Sequence, residues 1–132
     1  MKELLNNAAE ILLLLFMIIT FLQSGIDKIV DWKGNLSWLK GHFAKTPMKN
    51  SVPFMLSTVL LIEIAAGILC AVGLIFILVK EDSSIAFIGA ILSCVALLML
   101  LFGQRMAKDY EGAKTIAVYF IPAIFLVFLL QP

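Results

Sequence analysis

Glu63 is a carboxylate deep inside a long apolar stretch of the sequence. It stands about ten residues beyond Pro53, where the stretch begins, which is roughly 15 Å at helical rise and near the midplane of a bilayer core about 30 Å thick. An isolated charge is costly to bury at that depth, so the carboxyl must be protonated, paired or next to a wet cavity. We predict that Glu63 carries protons or contacts a ligand, or alternatively forms a structural hydrogen bond between helices.

Small residues follow Glu63 at helical spacing. Gly67 and Cys70 lie four and seven residues later and therefore share its helix face. Small side chains allow a second helix to approach closely within a membrane. The pattern predicts that Glu63 points into a helix bundle, with Gly25, Gly67 and Cys70 as packing positions.

A polar stripe ends the first apolar stretch and could meet Glu63. The stripe consists of Thr20, Ser24 and Lys28 at intervals of four, with Gln23 and Asp27 beside it. Thr20 and Gln23 are expected nearer the depth of Glu63 than Lys28 is, although a lysine side chain can extend along its helix. Two interpretations of Lys28 stay open: an ion pair with Glu63, or a charge that reaches the membrane interface.

A second polar cluster follows the third apolar stretch. It consists of Gln104, Arg105, Lys108, Asp109 and Tyr110. Together with Asp27, Lys28 and His42, this cluster could surround the mouth of a cavity that accepts a polar or anionic headgroup. Alternatively, its basic residues only fix the orientation of the helices and bind anionic lipid.

The scarcity of metal ligands narrows the chemistry. The chain has one histidine and two cysteines, Cys70 and Cys94, which are expected at different depths and therefore not in a disulfide. A haem held by two histidines is excluded, and we predict no metal site and no intrinsic cofactor. A net charge of +1 argues against nucleic-acid binding.

Four apolar stretches must position these residues. The sequence of 132 residues is 62% hydrophobic and has a mean hydropathy of +1.06. This composition predicts an all-α protein, a transmembrane four-helix bundle forming a single membrane domain over 1–132. The predicted spans are about 8–30, 53–79, 84–102 and 113–130.

The connection between the first two spans is too long for a simple turn. Trp32, Leu36, Leu39 and Phe43 recur within it at intervals of four, three and four, which predicts an amphipathic helix lying in the membrane interface. Eight of the ten basic residues flank the first and third connections. The positive-inside rule then places these two connections in the cytoplasm and both termini outside.

Three segments resemble the DoxX-like family of small four-helix membrane proteins. They read SGIDKI at 24–29, IEIAAGIL at 62–69 with Gly73 beyond, and GQRMAKDYEGA at 103–113 leading to Tyr119 and Phe120. The family usually has an arginine where this chain has Gln23. The resemblance implies functional positions at Gly25, Lys28, Glu63, Gly67 and Asp109.

Two hypotheses of function follow. The resemblance implies a non-catalytic accessory subunit of a quinone- or redox-linked membrane assembly, in contact with quinone or lipid, in a bacterial or archaeal cytoplasmic membrane. The alternative is a small dimeric carrier in which Glu63 exchanges protons for a substrate. A carrier needs a titrating carboxyl at Glu63, whereas a structural subunit should tolerate Glu63→Gln.

Overall fold

Four long helices make up most of the protein in the computed structural model, which describes residues 7–47 and 49–132. All four are long and apolar enough to cross a membrane. The all-α four-helix prediction is confirmed, with a fifth, shorter helix between the first two spans. The helices are α1 Ala8–Val30, α2 Trp32–His42, α3 Val52–Lys80, α4 Ser84–Met106 and α5 Tyr110–Leu130, with a single 3-10 turn at Lys49–Ser51 before α3.

The helix ends follow from local chemistry. Pro53 lies in the first turn of α3, where its missing N–H has no helical acceptor to lose. Glu81, in left-handed conformation, ends α3, and the carboxylate of Asp82 accepts a hydrogen bond of 3.0 Å from the Ser84 backbone N–H. That hydrogen bond lowers the pKa of Asp82 below its ordinary value. The tight connection 81–83 therefore turns the chain back directly into α4.

The last two helices are longer than the apolar pattern predicts. α4 continues to Met106 rather than to about 102, and α5 begins at Tyr110 rather than at about 113. Asp109 caps α5 by accepting a 2.9 Å hydrogen bond from the Gly112 backbone N–H. Polar residues can continue a helix beyond the bilayer core, so apolar length underestimates both helices.

The bundle closes unevenly around its axis. α3 packs closely against both α1 and α4, and α4 packs closely against α5, while the contact between α1 and α5 is the loosest of the four seams. The core consists of inward residues from all four long helices, among them Leu14, Met17, Phe21, Leu97 and Leu126. The loose α1–α5 seam leaves space for a cavity.

Glycines set the closest helix approaches. A Cβ added at Gly73 would collide with the backbone of Ala86, and one added at Gly89 would lie 2.9 Å from the Cys70 backbone nitrogen. The α3 and α4 backbones are therefore in direct contact. On the other side of α3, a Cβ at Gly67 would lie 2.7 Å from Leu22 Cδ2, so Gly67 admits a side chain of α1.

The helix α2 has the predicted amphipathic character. Leu36 and Leu39 are half-buried, and Phe43, just beyond the helix, is buried next to Gly103. Trp38 is 61% exposed, and Lys33 and Lys40 are exposed as well. The helix covers one end of the bundle, and its location in a membrane interface stays a prediction.

Candidate functional site

Lys28 and Glu63 form an ion pair inside the bundle. The Nζ atom of Lys28 lies 2.9 Å from Oε1 of Glu63 and donates a hydrogen bond of 2.6 Å to Oγ of Ser24, one turn earlier on α1. The Glu63 side chain is only 2% exposed, and that of Lys28 is 19% exposed. Of the two interpretations of Lys28, the structure has the ion pair.

The register of α1 against α3 explains why Lys28 reaches Glu63. Gly25 lies beside Ile64, and Leu22 lies beside Gly67, so the two helices run antiparallel with Glu63 within one turn of Lys28. The lysine side chain extends back along α1 to cover that turn. Counting residues from a shared membrane surface placed Thr20 and Gln23 nearer to the depth of Glu63 than Lys28. That prediction is wrong, because such counting cannot detect how two helices are offset along their axes.

The carboxylate of Glu63 has one close partner within the described part of the chain. That partner is the Lys28 ammonium, which lies 2.9 Å from the buried Oε1 and compensates its charge. A carboxylate has acceptor positions on two oxygens, so this single contact leaves acceptor capacity at Glu63. A buried carboxylate with acceptor capacity to spare favours a further donor.

A cavity of about 600 Å³ borders the ion pair. Its apolar wall includes Phe16 and Ile19 of α1, Leu97 of α4 and Ile116 of α5. It lies along the loose α1–α5 seam, where Phe16, Ile19 and Tyr119 are exposed, so it opens between two membrane-spanning helices. Besides Lys28 and Glu63, its polar lining consists of Thr20, Gln23, Ser24, Asp27, Asn35 and Tyr119.

The lining of this cavity has more acidic than basic side chains. Asp27 and Glu63 are acidic, and Lys28 is the basic residue among its lining side chains. The ammonium of Lys28 is already in contact with Ser24 and Glu63, so it is less available to a bound anion. The cavity therefore favours neutral or positively charged groups rather than the anionic headgroup that the sequence analysis considered.

A second cavity, of about 130 Å³, lies on the other side of Lys28. Its walls are almost wholly apolar and come from α2, α3 and α4, with Leu39, Phe43 and Leu56 among them. Lys28 lines both cavities. The lysine consequently separates an apolar space beneath α2 from the polar cavity of the α1–α5 seam.

The second polar cluster divides into two groups in the structure. Nε2 of His42 lies 3.1 Å from Oε1 of Gln104 and 3.7 Å from Oδ2 of Asp109, and its ring stacks on Trp38 at 4.6 Å. These contacts connect α2 to the end of α4 and the beginning of α5. His42, Gln104 and Asp109 therefore hold α2 against the bundle.

Arg105 and Tyr110 form the other group. The guanidinium carbon of Arg105 lies 5.1 Å from the centre of the Tyr110 ring, and both residues are exposed. Neither lines the cavity beside Glu63, which contains Asp27 and Lys28. The prediction that this cluster surrounds one cavity mouth with Asp27 and Lys28 is therefore wrong, because none of its members lines that cavity.

Packing explains the remaining predicted positions. Gly25 and Gly67 lie in the α1–α3 contact, and Cys70 is fully buried with its Sγ 3.8 Å from Oγ of Ser93. Cys70 and Cys94 are both free thiols. Ser93 is a buried polar residue that sequence reasoning missed; its hydroxyl donates to the Gly89 carbonyl at 2.8 Å. Only its place one turn after Gly89 could have indicated it.

Asn35 and Tyr119 also line the cavity without having been predicted. Asn35 lies among other polar residues of its helix and Tyr119 precedes Phe120, so the bundle geometry rather than the sequence pattern brings them to the cavity.

Comparison of the chain with models of known families, with curated proteins and with solved structures gives no match. The resemblance to the DoxX-like family accordingly stays a prediction.

Proposed function

We propose that this integral membrane protein is a small accessory subunit of a larger membrane assembly, to which it contributes a binding cavity for an amphiphilic molecule. The observation that carries the proposal is the cavity of about 600 Å³ that opens between α1 and α5 beside the buried Lys28–Glu63 pair. A lateral opening of this kind admits a molecule from the bilayer without passage through water. Quinones and lipids are the membrane molecules of this character, and the resemblance to the DoxX-like family favours a quinone- or redox-linked assembly.

The residues support binding rather than independent redox chemistry. The single histidine of the chain is engaged with Gln104 and Asp109 near α2, and the two cysteines are buried as free thiols. Electron transfer would therefore depend on cofactors held by partner subunits. The exposed apolar faces of the four spans contact lipid, and other subunits could pack against them as well.

Purification from the native membrane in a mild detergent tests the subunit proposal. We expect flavin, haem or iron–sulfur proteins to co-purify with the tagged chain at fixed stoichiometry through size exclusion, identified by mass spectrometry. A tagged four-helix membrane protein of unrelated sequence, expressed at the same level, is the control for adventitious association. Recovery of the chain alone, as a monomer or homodimer, would contradict the proposal.

The second candidate is a proton-coupled carrier acting as a dimer. Its support is the buried carboxylate of Glu63, which borders a cavity open to the surface and could exchange its Lys28 partner for a proton or a cationic substrate. Uptake of a cationic substrate by proteoliposomes under a pH gradient tests this candidate. We expect Glu63→Gln to abolish the uptake. Glu111→Gln, at the exposed start of α5, should leave the uptake unchanged. Retained pH-dependent uptake in Glu63→Gln would exclude this candidate.

A further inference from the structure

We infer that the ligand of this cavity is an amphiphile whose headgroup donates an N–H or O–H hydrogen bond to the carboxylate of Glu63. The apolar tail of the ligand leaves through the α1–α5 seam into the bilayer. This inference rests on the proposed binding subunit and narrows the chemistry of its ligand. Of a quinone couple, only the reduced form fits, because it has hydroxyl donors and the oxidised form has none.

The first step concerns the acceptor at Glu63. Its carboxylate is buried and lines the cavity, and its close partner among the residues that the structure describes is the Lys28 ammonium, 2.9 Å from Oε1. That ammonium is shared with Ser24, and a carboxylate has acceptor positions on both oxygens, so Glu63 can accept a further donor. A site that presents a buried acceptor discriminates strongly against ligands without a matching donor.

The second step concerns charge. Asp27 and Glu63 outnumber Lys28 among the charged groups that line the cavity. A carboxylate or phosphate headgroup would meet this acidic excess, and the ammonium is already engaged. Neutral hydroxyl and positively charged ammonium headgroups both fit, because each combines a donor with the absence of negative charge.

The third step concerns shape. The cavity of about 600 Å³ falls within the usual range for small-molecule sites of about 300–1,000 Å³. Phe16 and Tyr119, whose ring centres are 6.2 Å apart, lie at the seam where the cavity opens. An alkyl or isoprenoid tail between these aromatic rings would extend directly into lipid, while the headgroup lies beside Glu63.

Four probes with twelve-carbon chains distinguish the effect of a hydrogen-bond donor on binding from the effect of charge. Dodecanol and dodecylammonium carry a donor, whereas dodecyl methyl ether and dodecyltrimethylammonium match their charges without one. Native mass spectrometry of the intact protein, released from nonionic detergent after incubation with each probe, measures the fraction that retains one probe molecule. We expect each donor probe to bind about tenfold or more tightly than its matched probe without a donor, in line with a hydrogen bond to a charged acceptor.

The four probes also distinguish the two headgroup classes. Tighter binding of dodecanol than of dodecylammonium would indicate a hydroxyl headgroup, and the reverse order an ammonium headgroup, with both orders supporting the inference. Equal binding of donor and matched probes would overturn it. Retention of both cationic probes with neither neutral one would overturn it as well, because charge alone would then govern binding.

A cavity-filling variant tests the location independently of the ion pair. Thr20 lines the cavity and is half-buried, so Thr20→Leu fills space while leaving Lys28 and Glu63 in place. We expect Thr20→Leu to reduce retention of dodecanol and dodecylammonium about tenfold or more, and Thr115→Leu, on the exposed face of α5, to leave it unchanged. Unaltered donor binding in a folded Thr20→Leu protein would overturn the location.

The failure of this inference is distinguishable from the failure of the proposed function. Co-purified partners together with equal probe binding would overturn the ligand chemistry alone. Selective binding of the donor probes by a chain with which no partner co-purifies would overturn the accessory-subunit role and leave the ligand site supported.

Discussion

The ammonium of Lys28 and the carboxylate of Glu63 stand 2.9 Å apart on two different helices, α1 and α3. Glu63 is almost completely buried, so the removal of Lys28 leaves an uncompensated charge in the bundle. We expect Lys28→Met to destabilise the protein by about 3–5 kcal/mol, a typical cost of breaking a buried pair. Thermal unfolding in detergent, followed by circular dichroism, measures this loss.

Two further variants isolate the pair as the cause. Lys28→Met with Glu63→Gln removes both charges, and its stability should return much of the way to that of the native protein. Lys114→Met removes an exposed lysine of α5 and should change little. A Lys28→Met protein as stable as Lys114→Met would show that the pair contributes nothing to the bundle.

Alanine substitutions at three glycines should affect the stability of the protein to different degrees. A new methyl at Gly73 would collide with the Ala86 backbone, which cannot move without shifting α4, whereas at Gly67 it would meet the flexible Leu22 side chain. We expect Gly73→Ala to lower stability by about 1–3 kcal/mol or more, and Gly67→Ala by less. Gly41 has nothing within 4 Å of a new methyl, so Gly41→Ala should be neutral or slightly stabilising.

Thermal unfolding in detergent then ranks the three variants by stability, and this order is the test. If Gly67→Ala were the most damaging, the closest backbone contact would lie between α1 and α3 rather than between α3 and α4. If Gly41→Ala were destabilising, the exposed surface assigned to that part of α2 would be wrong.

The sequence predicted the helices better than the site. Apolar length and helical periodicity are local properties, so the four spans and the helix at 32–42 could be recognised within a few residues of their ends. Glu63 was also recognisable, because a lone carboxylate in an apolar stretch violates the local pattern. Its pairing with Lys28 depends on how α1 slides along α3, and Gly25 and Gly67 set that register through contacts that no single helix contains.

The cavity was less predictable for the same reason. Tyr119 and Asn35 reach it from α5 and α2, and neither residue is unusual within its own segment. Arg105 and Asp109 are near neighbours in sequence, yet Asp109 contacts His42 while Arg105 turns to Tyr110 at the surface. Proximity along the chain could not distinguish these two directions, because the left-handed backbone of Lys108 redirects the chain between them.

Asp109 should stabilise the start of α5 mainly as a helix cap. Its side chain accepts the 2.9 Å hydrogen bond from Gly112, and the carboxylate also lies 3.7 Å from His42. Asp109→Ala removes both interactions and should cost about 0.5–2 kcal/mol. Asp109→Asn keeps a side-chain oxygen for the cap, so most of that loss should be restored in thermal unfolding. Equal losses in both variants would assign the stabilisation to charge rather than to capping.

Cysteine labelling in sealed membrane vesicles tests the predicted orientation. Lys40 and Lys80 are exposed at opposite ends of the bundle, and the distribution of basic residues places Lys40 on the cytoplasmic side. In right-side-out vesicles, we expect an impermeant maleimide to label Lys80→Cys and to label Lys40→Cys only after the membrane is opened. Cys70 and Cys94 are 0% and 7% exposed, so the unaltered chain provides an unlabelled background for both variants. Labelling of Lys40→Cys in intact vesicles, with Lys80→Cys protected, would reverse the assigned orientation.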